Sequence, residues 1–192
     1  MSPRTEKQFE EIRDNRKQQI MQAALELFAS EGYHSTSVAR ISCYAGISKG
    51  LLYNYFKSKE DLLDSIMALG IEKFHDILEE QVRHELDTPE ELLMYIHGGF
   101  EIIRREPDFY RLLFTVFFQP GVMDTSKNQY RETLDHLTRD IALYFEVKGD
   151  PDPIEKARLL GNTIDGVGLH YFLAPESVDL DKMEKIIFEL FK

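Results

Sequence analysis

Side chains that can donate hydrogen bonds to phosphate are concentrated between residues 36 and 59. Hydroxyl groups precede two short apolar segments, and ammonium, phenol and amide groups follow closely. Such donors bind phosphate oxygens, and at the start of a helix they can also reach the edges of bases. The candidate contact residues are Thr36, Ser37, Arg40, Ser48, Lys49, Gly50, Leu51, Tyr53, Asn54, Tyr55 and Lys59.

Charge is unevenly distributed along the chain. The net charge of −11 alone disfavours nucleic acid as a partner, because phosphate binding depends on lysine and arginine. However, residues 1–60 hold nine basic against seven acidic side chains, and residues 61–192 hold 14 against 27. This asymmetry is typical of a mildly basic module on an acidic body that repels DNA elsewhere, although small domains also differ in charge by chance. Acidic residues interleave with the basic ones before residue 18, which favours a solvated helical extension over a DNA-binding arm there.

Other classes of protein find little support in the sequence. The chain has no glycine-rich phosphate loop, no Gly-x-Ser-x-Gly elbow and no His-Glu-x-x-His helix, which disfavours an enzyme. The six histidines lack metal-ligand spacing, so we expect neither a metal ion nor a cofactor. The single cysteine, Cys43, excludes an intrachain disulfide. Because no apolar run could span a bilayer and the first residues are polar, we expect a cytoplasmic protein without membrane contacts.

Apolar residues recur at every third or fourth position along most of the chain, which predicts an all-α fold. The first helix carries an apolar face from Ile20 to Phe28 and ends at Gly32, with Tyr33 expected to pack back on Phe28. Two short helices follow, the first capped by a Ser-Thr-Ser cluster and the second by Ser48, with a glycine turn between them. This is the plan of a helix-turn-helix, whose second helix enters the major groove, although many helical proteins also place short helices at a glycine turn.

The remaining helices are predicted to be longer. One helix starts at Ser58 and is long enough to join two domains, so we place a helix-turn-helix domain at residues 1–60 and a second helical domain at residues 61–192. Segment Phe109–Phe118 is so apolar that it is expected to be buried on nearly all sides. Other helices are predicted from Thr88 to Pro107, from Lys127 to Val147, from Ile154 to Leu173 and through Met183–Phe191.

A dense series of motifs fills the N-terminal domain: an Ala- and Leu-rich helix ending in Phe and Gly-Tyr, then Thr-Ser-Val, Ile, Ala-Gly-Ile-Ser-Lys-Gly, Tyr-x-Tyr-Phe and Ser-Lys-Glu-x-Leu. The motif residues are Ala23, Ala24, Leu25, Leu27, Phe28, Gly32, Tyr33, Thr36, Ser37, Val38, Ile41, residues 45–50, Tyr53, Tyr55, Phe56, Ser58, Lys59, Glu60 and Leu62. The series resembles the DNA-binding domain of the TetR (tetracycline repressor-like) family of transcriptional regulators. It covers roughly a quarter of the chain in detail, and elsewhere only length and helical character agree.

The resemblance implies a DNA-binding regulator, usually a repressor. Residues 48–51 would form the readout surface at the start of the recognition helix. The donors at 53–55 and Lys59 would bind phosphates, as would Thr36 or Ser37 at the start of the preceding helix.

Two positions depart from the family pattern, and two tyrosines have an alternative role. Position 51 is often small and polar in the family, whereas Leu51 suggests contact with a thymine methyl group or plain packing. Position 40 is often acidic, and Arg40 adds a candidate phosphate contact. Because Tyr53 and Tyr55 point in different directions on a helix, we expect one to be partly buried and the other to face DNA.

Regulators of this family are usually induced by a small molecule held inside the C-terminal domain, here residues 61–192. Aromatic walls with a few polar groups are typical of such pockets, although each of these side chains could equally be ordinary core. By resemblance, the candidate ligand-binding residues are Phe74, Phe100, Ile103, Tyr110, Phe114, Phe117, Tyr130, Leu134, Tyr144, Asp165 and His170.

Family members also pair through their last two long helices. Here Gly161, Gly166 and Gly168 are expected to allow a close approach of helices in a homodimer. A two-fold dimer places its recognition helices about 34–36 Å apart, which implies a palindromic operator.

A helical ligand-binding or scaffolding protein with a vestigial DNA surface is the main alternative to a regulator. Leu51 and the acidic body favour this alternative. Alanine substitution of Lys49 and Tyr55 discriminates between the two, because neither a scaffold nor an enzyme predicts a loss of operator binding.

Overall fold

The computed structural model describes residues 6–81, 86–122 and 127–192, and within them it contains helices and no strand, which confirms the predicted all-α fold. Along the chain the helices are α1 (Glu6–Glu31), α2 (Val38–Tyr44), α3 (Lys49–Tyr55), α4 (Lys59–Gln81), α5 (Pro89–Arg105), α6 (Pro107–Phe117), α7 (Lys127–Val147), α8 (Pro153–Leu173) and α9 (Leu180–Phe191). A 3-10 turn, Pro175–Ser177, precedes α9. Among the described helices, none combines the length and apolar character needed to cross a membrane.

The chain forms two compact units. The first comprises residues 1–69 and 112–126, and the second comprises residues 70–111 and 127–192, in both cases as far as the structure describes them. Helices α4 and α6 therefore each contribute residues to both units. The first compact unit thus extends beyond residue 60 and includes the end of α6, whereas the functional boundary at residue 60 stays a prediction.

Helix α1 supplies the core of the first unit. Ile20 and Phe28 are fully buried on its inner face, whereas its N-terminal half is exposed, as expected for a solvated extension. Gly32 ends the helix with φ +87°, a left-handed conformation that side chains disfavour. The ring of Tyr33 then packs edge-on against Phe28 with 5.0 Å between centroids, so the predicted C-terminal cap is confirmed.

Local hydrogen bonds begin α2 and α3 at the predicted residues. The Ser37 hydroxyl accepts the Arg40 N–H at 3.1 Å, and the Ser48 hydroxyl accepts the Leu51 N–H at 3.1 Å. Between the two helices, Gly46 adopts φ +65°. The two short helices and the left-handed glycine make the helix-turn-helix.

Helix α5 begins with a complete capping box. The Thr88 hydroxyl accepts the Glu91 N–H, the Glu91 carboxylate accepts the Thr88 N–H at 3.0 Å, and Pro89 occupies the first turn. At the other end, α5 stops at Arg105 and Pro107 starts α6. Both ends agree with the sequence-based prediction.

The core of the second unit lies among α5, α7, α8 and α9. Its most buried members include Leu92, Ile96, Phe100, Tyr144, Phe145, Ala157, Leu160 and Ile187. Two glycines bring α5 and α8 close together, because a Cβ atom added at Gly99 would lie 3.1 Å from Ile164 and one at Gly168 would lie 3.1 Å from Ile103. Gly168 therefore serves packing within the chain and not the dimer contact that we expected for it. Gly161 and Gly166 face open space.

The expectation that residues 109–118 are buried on nearly all sides is wrong. Tyr110 and Val116 are buried, but Phe114 and Phe117 are only partly covered and Phe118 is 62% exposed. The rings of Phe114 and Phe118 stack on each other with 6.2 Å between centroids. Composition gave the apolar content of α6 correctly, but only packing determines which of its sides are covered.

Candidate nucleic-acid interface and ligand-binding residues

Helix α3 presents a polar face to solvent. Ser48, Lys49 and Asn54 are exposed, and Leu52 on the opposite side is fully buried and anchors the helix in the core. The Lys49 ammonium lies 5.9 Å from the centroid of the Tyr53 ring. This face carries an ammonium, a hydroxyl and an amide at the N-terminal end of a capped helix, which is the chemistry needed to contact phosphates and base edges.

Gly50 and Leu51 also lie at this end of α3. Space around Gly50 is open, since the nearest atom to an added Cβ would be the Ser48 hydroxyl oxygen at 4.0 Å. No packing inside the described chain therefore demands a glycine here, whereas a close external surface would. Leu51 is half-buried, so part of its side chain is available for an apolar contact.

The two tyrosines of α3 divide as expected. Tyr53 is 47% exposed, whereas Tyr55 is half-buried and its ring lies 6.4 Å from that of Phe56. Tyr53 is thus the phenol available for a phosphate contact, and Tyr55 also packs within the domain.

Arg40 forms an ion pair that the sequence did not predict. Its guanidinium donates to the Glu31 carboxylate through Nε at 3.0 Å and through Nη2 at 2.6 Å. This hydrogen bonding lowers the pKa of Glu31 and raises that of Arg40. Because both side chains are exposed, a phosphate would have to compete with Glu31 for the guanidinium.

Thr36 does not belong to the DNA-contact set. It is 1% exposed, and its hydroxyl donates to the Gly32 carbonyl at 2.8 Å. The hydroxyl therefore cannot reach a phosphate in this conformation, and only the neighbouring Ser37, which is exposed, stays a candidate there.

Lys59 likewise has a partner other than phosphate. Its ammonium donates to the backbone carbonyls of Tyr33 at 2.8 Å and Thr36 at 3.1 Å, and it lies 4.4 Å from the centroid of the Tyr33 ring. A third carbonyl, of His34, lies at 3.4 Å. These contacts occupy all three donors of the ammonium, so the side chain secures the α1–α2 loop, and only the backbone N–H groups of the α4 start can serve a phosphate.

The turn after α6 contributes contacts that sequence reasoning missed. The Gln119 side chain donates from Nε2 to the Phe28 carbonyl at 2.8 Å and accepts the Tyr33 N–H at 2.7 Å. The His34 ring nitrogen Nε2 lies 2.9 Å from the Pro120 carbonyl, which accepts its hydrogen. Gln-Pro-Gly did indicate a turn, but no local signal in the sequence could reveal a partner more than 80 residues away.

The candidate ligand-binding residues are divided between the units. Phe100, Ile103 and Tyr144 are buried in the second unit's core, and Phe74 packs against them in part. Phe114 and Phe117 belong to the first unit, and His170 is exposed. The side chains of Tyr130 and Leu134 lie outside those that the structure describes. A ligand site that uses this set stays a prediction.

Two buried phenols in the second unit have unsatisfied hydroxyls. Within the described part of the chain, the hydroxyl oxygens of Tyr110 and Tyr144 find no hydrogen-bond partner. Burial, together with the nearby carboxylates of Glu106 and Asp76, raises the pKa of Tyr110. Buried polar atoms are rarely left unpaired, so each hydroxyl is a place where a ligand or a water molecule would gain a hydrogen bond.

Asp165 is another titratable residue of this set whose pKa is raised. It keeps solvent access in the single chain, but the surrounding protein removes part of its hydration and raises its pKa to about 6. Its charge, with that of Asp140, in turn raises the pKa of the buried Tyr95, for which desolvation is the larger cause. Asp165 therefore binds a proton more readily than an ordinary aspartate, and in its protonated form it can donate as well as accept.

Comparison with known families decides what this architecture is. The model of bacterial regulatory proteins of the tetR family matches residues 20–66, which span α2, α3 and the adjoining parts of α1 and α4. The chain belongs to the TetR family. Its relatives in this family are named as transcriptional regulators, and it is likewise a DNA-binding transcriptional regulator.

Relatives cover nearly the whole chain of this TetR-family regulator. The fatty acid metabolism regulator protein of Bacillus subtilis is 25% identical over 177 residues, which are 90% of this chain and 91% of that protein. The regulator AcrR of Shigella flexneri is 27% identical over 197 residues, covering 95% of this chain and 88% of that protein. The crystal structure of FadR from Bacillus subtilis in complex with stearoyl-CoA has the same fold, with a TM-score of 0.70, 24% identity and coverage of 91% and 96%.

Proposed function

We propose that the protein is a homodimeric repressor that binds a palindromic operator through α3 of each copy and is released by a small molecule. The observation that carries this proposal is the exposed polar face of α3, with Lys49 and Tyr53 beside the Ser48 cap. Two-fold symmetry then presents the same recognition helix twice, and a palindromic operator provides an identical half-site for each copy.

Exposed apolar side chains on α8 and α9 support the homodimer. Leu159, Leu169 and Leu173 share one face of α8 with the open Gly166, and Leu159 and Leu173 are 58% and 74% exposed. On α9, Leu190 is 68% exposed. Several large exposed apolar side chains on neighbouring helices are typical of protein–protein contact, and covering them removes apolar surface from water.

A long-chain acyl-CoA is our first candidate for the effector. The relative from Bacillus subtilis is named a fatty acid metabolism regulator, and FadR from that organism was solved with stearoyl-CoA. The aromatic interior of the second unit suits an acyl chain, and the hydroxyls of Tyr110 and Tyr144, which find no partner among the described residues, suit a thioester or amide oxygen.

Operator binding is tested with fluorescence anisotropy on DNA from the region upstream of the protein's own gene, over a series of salt concentrations. Site-selective binding with a steep dependence of log K on log salt is expected, because each phosphate contact releases counterions. A double variant, Lys49→Ala with Tyr53→Ala, removes two exposed side chains of α3 and serves as the matched loss-of-contact control. Stearoyl-CoA is then added, with free CoA and stearate as controls for its two parts.

Each arm of this experiment can contradict one part of the proposal. Binding without selectivity, or unchanged in the double variant, would favour the scaffolding alternative. Selective binding that stearoyl-CoA does not reverse would retain the regulator and reject this effector. Transcription from the bound promoter with and without the protein distinguishes repression from activation.

A further inference from the structure

We propose that Gln119 is a positioning residue for DNA binding, because its side-chain amide holds the loop that joins α1 to α2. The turn after α6 then contributes to the structure of the helix-turn-helix domain, although it lies far outside residues 1–60 in the sequence. The proposal rests on the operator binding proposed above, and its test is arranged so that the two can fail separately.

A tight turn fixes where the Gln119 side chain begins. The Val122 N–H donates to the Gln119 carbonyl at 3.2 Å, Pro120 occupies the second position, and Gly121 at the third has φ +79°. This is the pattern of a type II β-turn, in which proline and glycine limit the backbone to one conformation. Val122 is fully buried, so the turn is anchored in the first unit.

The side-chain amide of Gln119 forms hydrogen bonds with two backbone groups at the end of α1. Its donor lies 2.8 Å from the Phe28 carbonyl and its acceptor lies 2.7 Å from the Tyr33 nitrogen. Tyr33 is 3% exposed, so without Gln119 its N–H would lose its acceptor in a place that water hardly reaches. A side-chain amide carries a donor and an acceptor together, which a carboxylate or an apolar group does not.

The same loop holds α2 and α4 in place. The Thr36 N–H and hydroxyl both donate to Gly32, at 3.1 Å and 2.8 Å, and the next residue, Ser37, caps α2. Lys59, in the first turn of α4, donates to the carbonyls of Tyr33 and Thr36. A shift of this loop therefore moves the start of α2 and the start of α4 together, and α3 lies between them in sequence.

Two substitutions in the full-length protein test this role. Gln119→Met keeps the length of the side chain but removes both hydrogen bonds, and Gln119→Glu keeps the acceptor for Tyr33 while directing a negative charge at the Phe28 carbonyl. Ile96→Val, in the core of α5, is the matched control that lowers stability without touching the loop. The readouts are operator affinity, thermal unfolding and hydrogen exchange of residues 28–37.

Gln119→Met is expected to weaken operator binding by about tenfold, which corresponds to the loss of one or two net hydrogen bonds, and Gln119→Glu by more. Exchange should rise within residues 28–37 and not in α7–α9, whereas Ile96→Val should lower the melting temperature with unchanged operator affinity. Folded variants that bind the operator like the wild type would overturn the proposal, as would losses of affinity that Ile96→Val matches at equal stability. If the wild type itself does not bind DNA, the operator proposal fails, and unchanged exchange in the loop would then overturn the role of Gln119.

Discussion

Lysines 49 and 59 show how similar side chains in one short segment take different roles. Lys49 is exposed on α3 with its ammonium near the Tyr53 ring, whereas Lys59 points its ammonium at the carbonyls of the α1–α2 loop. The first is available to an external phosphate and the second already has acceptors. Charge alone therefore does not identify a DNA contact, and the partners of each ammonium do.

Lys49→Ala is expected to weaken operator binding and to reduce the slope of log K against log salt by about one, because one phosphate contact is lost. Stability should hardly change, since the side chain is exposed. Lys185→Ala, on the exposed surface of α9, is the charge-matched control and should leave the slope unchanged. Equal slopes for the wild type and Lys49→Ala would contradict the assignment of this residue.

Asp165→Asn is expected to change how stability depends on pH. The folded-state pKa of about 6 lies above the ordinary aspartate value of 3.8, so protonation favours the folded chain. The contribution of this group to the unfolding free energy is complete below about pH 4 and is lost as pH rises through 6. Asparagine does not ionise, so the variant should gain stability over the wild type at pH 7.5 but not at pH 4.

Urea denaturation at several pH values measures this difference. Because Asp165 keeps solvent access, the effect is expected to be modest. A constant difference between the two proteins from pH 4 to pH 8 would mean that the carboxyl titrates like a free aspartate. The Asp140 carboxylate, which also raises the pKa of Tyr95, is unchanged in both proteins and cancels in the comparison.

At the scale of elements, glycines set how closely α5 and α8 pack. An added methyl group at Gly168 would meet the Cδ1 atom of Ile103 at 3.1 Å, whereas one at Gly161 would meet nothing within 4 Å. The two positions lie on the same helix and differ in their surroundings. Alanine substitutions at Gly161 and Gly168 therefore distinguish the effect of glycine on helix propensity from its effect on packing.

Gly168→Ala is expected to lower the unfolding free energy by about 1–3 kcal/mol, since Ile103 must shift to accept the methyl group. Gly161→Ala is expected to leave it unchanged or to raise it by up to about 1 kcal/mol through helix propensity. Thermal or urea unfolding of the two variants measures the difference. A loss of similar size in both would show that the packing at Ile103 does not govern the effect.

At the scale of the whole molecule, the exposed apolar faces of α8 and α9 are the surface that a second copy is proposed to cover. Leu173→Glu with Leu190→Glu places charges in these faces without touching the buried core. The double variant is expected to elute as a monomer in size-exclusion chromatography with light scattering, because burying unpaired charges is costly. Operator affinity should fall with it, since a single recognition helix reads half a palindrome.

Leu143→Glu, on α7, is the matched control, because it adds a charge to another exposed leucine outside α8 and α9. It should leave the oligomeric state unchanged. A double variant that stays dimeric would place the interface elsewhere on the molecule.

The sequence by itself determined the helices and their ends, and the family. Gly32, Ser37, Ser48 and the Thr88–Glu91 box act through hydrogen bonds that span three or four residues, so the local sequence contains both partners. The readout face of α3 could be proposed for the same reason, since a capped short helix after a glycine turn defines its own exposed start. Helical periodicity predicted that one of Tyr53 and Tyr55 would be partly buried, and the structure shows that it is Tyr55.

Only the tertiary structure decided which distant residues meet. Thr36 is buried and Arg40 is paired with Glu31, although both looked like free donors in the sequence. Gly168 packs against Ile103 inside the chain. The Gln119 amide binds the Phe28 carbonyl near the end of α1, which lies 91 residues away in the sequence. Such contacts arise when whole helices pack together. The free energy of that packing is a sum over many side chains, so a local sequence pattern does not predict which distant residues will meet.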